Sequence, residues 1–288
     1  MAHQELVLAE RALHAFLHVY SRWYTHQTPI DYLGELLGPP PGAIDERTED
    51  QTRQEVYHQA RRLQDPIQFD PLYLRIIALI RYPLDISDDF NQSIKMWIAS
   101  RGSRFLWAEG RASRLVQVLT LPRVGINLCG YAYEAGLPVA IFSMNGRPIM
   151  APGSPIRERA PPVVDLVYSL IRQLVSHLPQ RFERPGTLDS WHFQRLNGTI
   201  ASLEPALEML ADLLEYIPPF LICIIDGLDK LENNETVPYL DVLLDTLRVL
   251  SRGKKFKFLF TTYGPSQVLS RKLIPEEHVG NVFLQPEA

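Results

Sequence analysis

At 288 residues the chain has the length of one large domain or two modest ones, enough to bury a sizeable core. Its 46% hydrophobic and 22% charged content is that of an ordinary globular protein, and a net charge of −4 gives no electrostatic case for nucleic acid or an anionic membrane. The two cysteines, Cys129 and Cys223, lie too far apart in sequence to suggest a disulfide framework.

That thiol usage fits an intracellular, cytoplasmic setting. No cationic stretch followed by an apolar core opens the chain, so no secretory leader is expected. Nor does any apolar run approach the ~20 residues of a membrane span.

The first hundred residues read as helical. Glu5 to Trp23 carries Leu6, Leu13, Phe16, Leu17 and Tyr20 at helical spacing. His14 and His18 share a face there, but Ala15 stands where a zinc protease helix needs glutamate, so packing or surface histidines are expected. Leu33 to Leu37 continues helically until Gly38-Pro39-Pro40-Pro41-Gly42 stops it. A polar helix is expected over Arg47 to Leu63 and another from Leu72 to Arg81, opened by Asp70-Pro71. Asp85-Ile86-Ser87-Asp88-Asp89 then offers N-caps for a helix through Ile98; capping outweighs a metal-binding reading of the same acids.

After Arg101-Gly102-Ser103 the texture alternates between strand and helix. Phe105 to Ala108 predicts a strand running into Glu109-Gly110. A helix is expected from Leu115 to Leu121, interrupted at Pro122 and resuming through Tyr133. Val139 to Ser143 reads as a second strand, and Asn145 to Pro162 as a surface loop. Val163 to Leu178 and Ser202 to Tyr216 are amphipathic helices, with a short ambiguous piece at Trp191 to Leu196.

Phe220 to Ile225 is six large apolar residues ending in Asp226, bounded by Pro218-Pro219 and Gly227. Such a run predicts a buried parallel strand, and its terminal carboxylate falls where open α/β sheets bind ligands. Tyr239 to Leu250 is helical again, and Phe256 to Phe260 is a strand ending in Thr261-Thr262. Lys254, Lys255 and Lys257 read as charges that keep that strand soluble. A helix over Gln267 to Leu273 and a short strand over Val282 to Leu284 close the series. The alternation predicts a parallel sheet in which the first strand lies beside Phe220–Asp226 or one strand away.

Four segments together resemble a known family. Phe105 to Gly110 looks like the first strand and opening glycine of a P-loop domain, and Ile224-Ile225-Asp226-Gly227-Leu228-Asp229 like a Walker B motif. Phe258 to Thr262 resembles a sensor 1 strand, and Asp165 to Leu174 the helix that lies before Walker B. In this order they resemble NACHT-like NTPases of the STAND class, in the form found behind a helical region in large proteins of filamentous fungi. The resemblance implies an α/β, parallel-sheet P-loop NTPase-like domain over 101–288, preceded by a helical region over 1–100. It also implies a nucleotide site in which Gly110, Asp226 and Thr262 contact the cofactor, Asp226 holds Mg²⁺, and Asp229 orients a water.

One motif departs from the family. A Walker A loop wraps phosphates with glycine backbone N–H groups, neutralises them with lysine, and binds Mg²⁺ through a hydroxyl. Here Leu115, Val116 and Gln117 stand at the glycine, lysine and hydroxyl positions, and Lys230 replaces the acid that often follows Asp229. Arg111 and Arg114 are the only charges that loop offers to phosphate. The expectation is a pseudo-NTPase used as a scaffold or interaction module, with protein partners and no cofactor required. A weak ATP- or GTP-binding switch with Mg²⁺, using Asp226 and Asp229, is the alternative. If the site is vestigial, Asp226→Asn should behave as a surface substitution, within roughly ±0.5 kcal/mol; if Asp226 is instead a structural acid bonding N–H groups of the Gly227 turn, the same change should destabilise without nucleotide dependence.

Overall fold

The structure is a computed structural model that describes residues 51–64, 86–110, 115–144, 160–180, 182, 186–280 and 282. The helices expected over Glu5–Trp23, Leu33–Leu37 and Leu72–Arg81, with His14 and His18, lie outside the described residues, as does most of the 145–162 loop.

Five strands form one all-parallel sheet: β1 (Arg104–Glu109), β2 (Val139–Ser143), β3 (Phe220–Asp226), β4 (Lys255–Thr262) and β5 (His278–Val279), in the order β2-β3-β4-β1-β5. The described helices are α1 (Gln51–Arg61), α2 (Asp88–Ala99), α3 (Leu115–Glu134), α4 (Pro162–Val175), α5 (Ser190–Arg195), α6 (Leu203–Tyr216), α7 (Val237–Leu250) and α8 (Gln267–Lys272). The fold is therefore α/β. β1 lies one strand away from β3, with β4 between them. Among the described residues no helix is long and apolar enough to cross a membrane.

The sheet has a core on each face. Alternate side chains of β3 divide between them: Phe220, Ile222 and Ile224 go to one face, Leu221, Cys223 and Ile225 to the other. On the first face α2 and α3 pack, through Phe90, Ile94, Trp97 and through Leu121, Val124 and Leu128. The second face is covered by α4, α6, α7 and α8, with α1 laid over α4 through Val56 and Ala60, and Leu63 of the 3-10 turn Arg62–Gln64 joining the same core. Two helices of the expected amino-terminal region thus enter the same cores as the sheet. Ser87 caps α2 by accepting from the Phe90 N–H at 3.3 Å, as the Asp85–Asp89 stretch led one to expect.

Three elements depart from the sequence reading. α3 runs unbroken through Pro122. An interior proline costs about 3 kcal/mol, but from Leu121 to Ala132 α3 packs Leu121, Val124, Leu128 and Ala132 into the core, and that packing outweighs one lost N–H bond. Gly125 lets the helix approach closely, since a Cβ there would lie 3.0 Å from Ile224 Cγ2. β5, His278–Val279, is a strand that the sequence did not predict, while residues 283 and 284 of the strand expected over Val282–Leu284 lie outside the described residues. Val282 is in no strand, although its N–H donates to the Glu109 carbonyl (3.4 Å) and its carbonyl accepts from Ser87 N (2.8 Å).

The third departure concerns the lysines. Lys257 is only 1% exposed, and its amine reaches the carbonyls of Ser100 (2.6 Å) and Gly102 (2.7 Å), just past the end of α2. Lys254 donates to the Leu214 (2.5 Å) and Glu215 (2.8 Å) carbonyls at the end of α6. Both cap helix C-termini, where orphan carbonyls carry partial negative charge. Neither serves as a solvated strand flank.

Candidate functional site

Connections leave β1 and β4 on opposite sides of the sheet. β1 leads into α3 on one face, and β4 leads into α8 on the other. In an open α/β sheet this topological switch opens a crevice at the strands' carboxyl ends. Here that switch point lies between Glu109-Gly110 and Thr261-Thr262, where the Gly110 N–H donates to the Thr262 carbonyl at 2.9 Å.

Asp226 ends the neighbouring strand. Register places Ser143, Asp226 and Thr261 in one row across β2, β3 and β4. Ser143 Oγ donates to Asp226 Oδ2 at 2.5 Å and Thr261 Oγ1 donates to Asp226 Oδ1 at 2.6 Å. The carboxylate is 1% exposed. It binds three strands to one another through two short charge-assisted bonds.

The next residue turns the chain sharply. Gly227 adopts φ +79°, and a Cβ there would sit 2.9 Å from Met144 Cβ, so only glycine fits. Its N–H donates to the Thr261 carbonyl at 2.8 Å. The 3-10 turn Leu228–Leu231 follows and carries Asp229. Asp229 accepts a backbone bond from Tyr263, but its buried Oδ1 has no hydrogen-bond partner. Burial raises its carboxyl above the ordinary carboxylate range, against the pull of Tyr263 and Lys230. Lys230 is exposed and lies over the Tyr263 ring, 5.3 Å from its centroid. Glu232 is engaged at the start of α8, where it accepts from the Ser266 hydroxyl and from the N–H groups of Gln267 (2.8 Å) and Val268 (3.3 Å).

The opposite face of the sheet has a different constellation at this end. Trp107 Nε1 donates to Thr262 Oγ1 at 2.8 Å, and the His278 ring stacks on Trp107 with centroids 3.9 Å apart. His278 Nε2 lies 3.1 Å from Glu109 Oε2. Because the pleat alternates, Thr262 points to this face and Thr261 to the face of Asp226.

Gly110, Asp226, Asp229 and Thr262 therefore gather at one end of the sheet. Asp226 and Thr262 nevertheless project to opposite faces and do not meet. Arg111 and Arg114 lie outside the described residues. The hydroxyl partners Ser143 and Thr261, and the Trp107–His278–Glu109 cluster, are absent from the sequence reading; only the strand register reveals them. Asp226 as it stands is poorly suited to Mg²⁺, because it has almost no exposed surface through which a hydrated cation could reach it, and a hydroxyl already bonds each carboxylate oxygen. Among the described residues no three His, Cys, Asp or Glu side chains come together as a metal site.

No family model, curated protein or solved structure matches this chain.

Proposed function

We propose that residues 101–288 form a NACHT-like pseudo-NTPase module that works inside the cell as a scaffold or interaction domain for protein partners. The observation that carries this reading is the state of Asp226. The acid that would hold Mg²⁺ is tied to Ser143 and Thr261 and serves to join strands. The sequence agrees, with Val116 and Gln117 standing where phosphate charge and a Mg²⁺ ligand are needed. Free, buried Cys129 and Cys223 suit a reducing compartment.

The test is titration of the purified chain with fluorescent ATP and ADP, with and without Mg²⁺. The expected outcome is no saturable binding below about 1 mM, a level worth roughly 4 kcal/mol. A phosphate-release assay should show no turnover beyond that of an Asp226→Ala, Asp229→Ala double variant. Saturable, Mg²⁺-dependent binding would replace this reading with that of an atypical nucleotide switch. The unpartnered Oδ1 of Asp229 is the specific feature that favours the switch.

A further inference from the structure

Lys257 does more than cap a helix. It projects from β4 on the α2 face of the sheet and is 1% exposed. Its amine meets three oxygens: the carbonyls of Ser100 and Gly102, and the Ser100 hydroxyl. Ser100 Oγ in turn donates to the Trp97 carbonyl in the last turn of α2 at 2.9 Å. The charged side chains acting on the amine are Arg104 on β1 and Lys255 on β4, both of like sign.

Two protonation states satisfy this cluster differently. An ammonium has three donors for three acceptors, leaving the Ser100 hydroxyl free to donate to Trp97. A neutral amine keeps two donors for the two carbonyls and gains a lone pair. The only hydrogen that can meet that lone pair within the cluster belongs to Ser100 Oγ, which must then leave the Trp97 carbonyl. We propose that Lys257 and Ser100 form a proton-operated latch between α2 and the sheet: loss of the Nζ proton to solvent turns the Ser100 hydroxyl inward and loosens the last turn of α2. The latch lies at the end of the sheet remote from Asp226, and none of the switch-point residues takes part in it.

Burial, with the like charges of Arg104 and Lys255, brings the amine from its usual 10.5 down to about 7. The latch would then change state close to neutral pH. The unfolded chain holds the proton up to the usual value, so between the two it binds more protons than the folded chain. Stability therefore rises as pH increases through this interval.

The test compares thermal unfolding of the natural chain and Lys257→Met from about pH 6 to about pH 9.5. The natural chain's Tm should climb across this range while that of the methionine variant stays flatter, so their difference shifts in favour of the natural chain at high pH. Parallel curves would overturn the proposal. If the variant does not fold, ¹³Cε-lysine NMR of the natural chain decides instead: one lysine titrating near neutrality supports the latch, and all lysines titrating above about pH 9.5 sink it. Hydrogen exchange at the end of α2 reports the mechanical step. Beyond the intrinsic base-catalysed rise, exchange there should increase several-fold above neutral pH in the natural chain but not in Ser100→Ala. An identical profile in both would exclude the hydroxyl relay.

Discussion

The two ends of the sheet are built from opposite chemistry. At the amino end, side-chain donors meet surplus carbonyls: Lys254 at the end of α6, Lys257 past α2, and Ser103 Oγ against the carbonyls of Ser251 (2.7 Å) and Lys254 (2.9 Å). At the carboxyl end, acids meet donors: Asp226 the hydroxyls of Ser143 and Thr261, Glu232 the first N–H groups of α8. Parallel strands linked by returning helices explain the division. Helices end beside strand starts and begin beside strand ends, so orphan carbonyls collect at one end and orphan N–H groups at the other. A carboxylate at the end of a parallel strand is thus favoured with or without a phosphate ligand. In this protein Asp226 and Glu232 are both accounted for by bonds within the chain.

The largest test of this contrast is Asp226→Asn. A vestigial Asp226 would cost within roughly ±0.5 kcal/mol and a structural acid more; with two hydroxyl donors and 1% exposure, Asp226 is no surface residue. We expect urea denaturation to show a loss of about 2 kcal/mol, with or without nucleotide. A near-neutral result would mean that the Ser143–Asp226–Thr261 row does not hold the strand ends.

At the other end, Ser103→Ala removes the acceptor of the Phe256 N–H (2.8 Å) together with a donor to two carbonyls. The expected cost is about 1 kcal/mol, again from denaturation midpoints at unchanged slope. A cost larger than that of Asp226→Asn would reverse the ranking of the two ends.

Asp229 gives the smallest effect and the opposite sign. Its carboxyl is raised by burial, so ionisation favours the unfolded chain. Its contribution is fully present below the unfolded pKa and is lost as pH rises through the higher folded value. Asp229→Asn should therefore raise Tm slightly at pH 7, and the gain should vanish in acid. A loss of stability at neutral pH would show that the ionised carboxylate has a partner in solution.

The central strand was legible because six consecutive large apolar residues, Phe220 to Ile225, have few ways to be buried other than between two layers of helix. β4 and the amphipathic α4 and α6 could be read for similar reasons of periodicity. Lys257 was misread because local sequence cannot show that a lysine in a strand points under α2. The Ser143–Asp226–Thr261 row escaped notice because it depends on register across three strands, and residues 83 and 35 positions away from Asp226 supply the hydroxyls. Pro122 misled in the other direction, since local chemistry argues for a break that long-range packing overrides.

α4 also finishes the sheet at β2. Gln173 donates to the Ile141 carbonyl at 2.8 Å and accepts from its N–H at 2.9 Å, and His177 Nε2 lies 2.9 Å from the Val139 carbonyl. An amide and an imidazole thereby stand in for a sixth strand. An incoming chain would have to evict a side chain that already completes the backbone pairing at Ile141. The same helix buries Val164, Val167, Leu170, Ile171 and Leu174 in the core, so lifting it would bare a pairing edge and an apolar surface together. α4 therefore protects this edge twice over, by filling its hydrogen bonds and by covering the apolar face beside it.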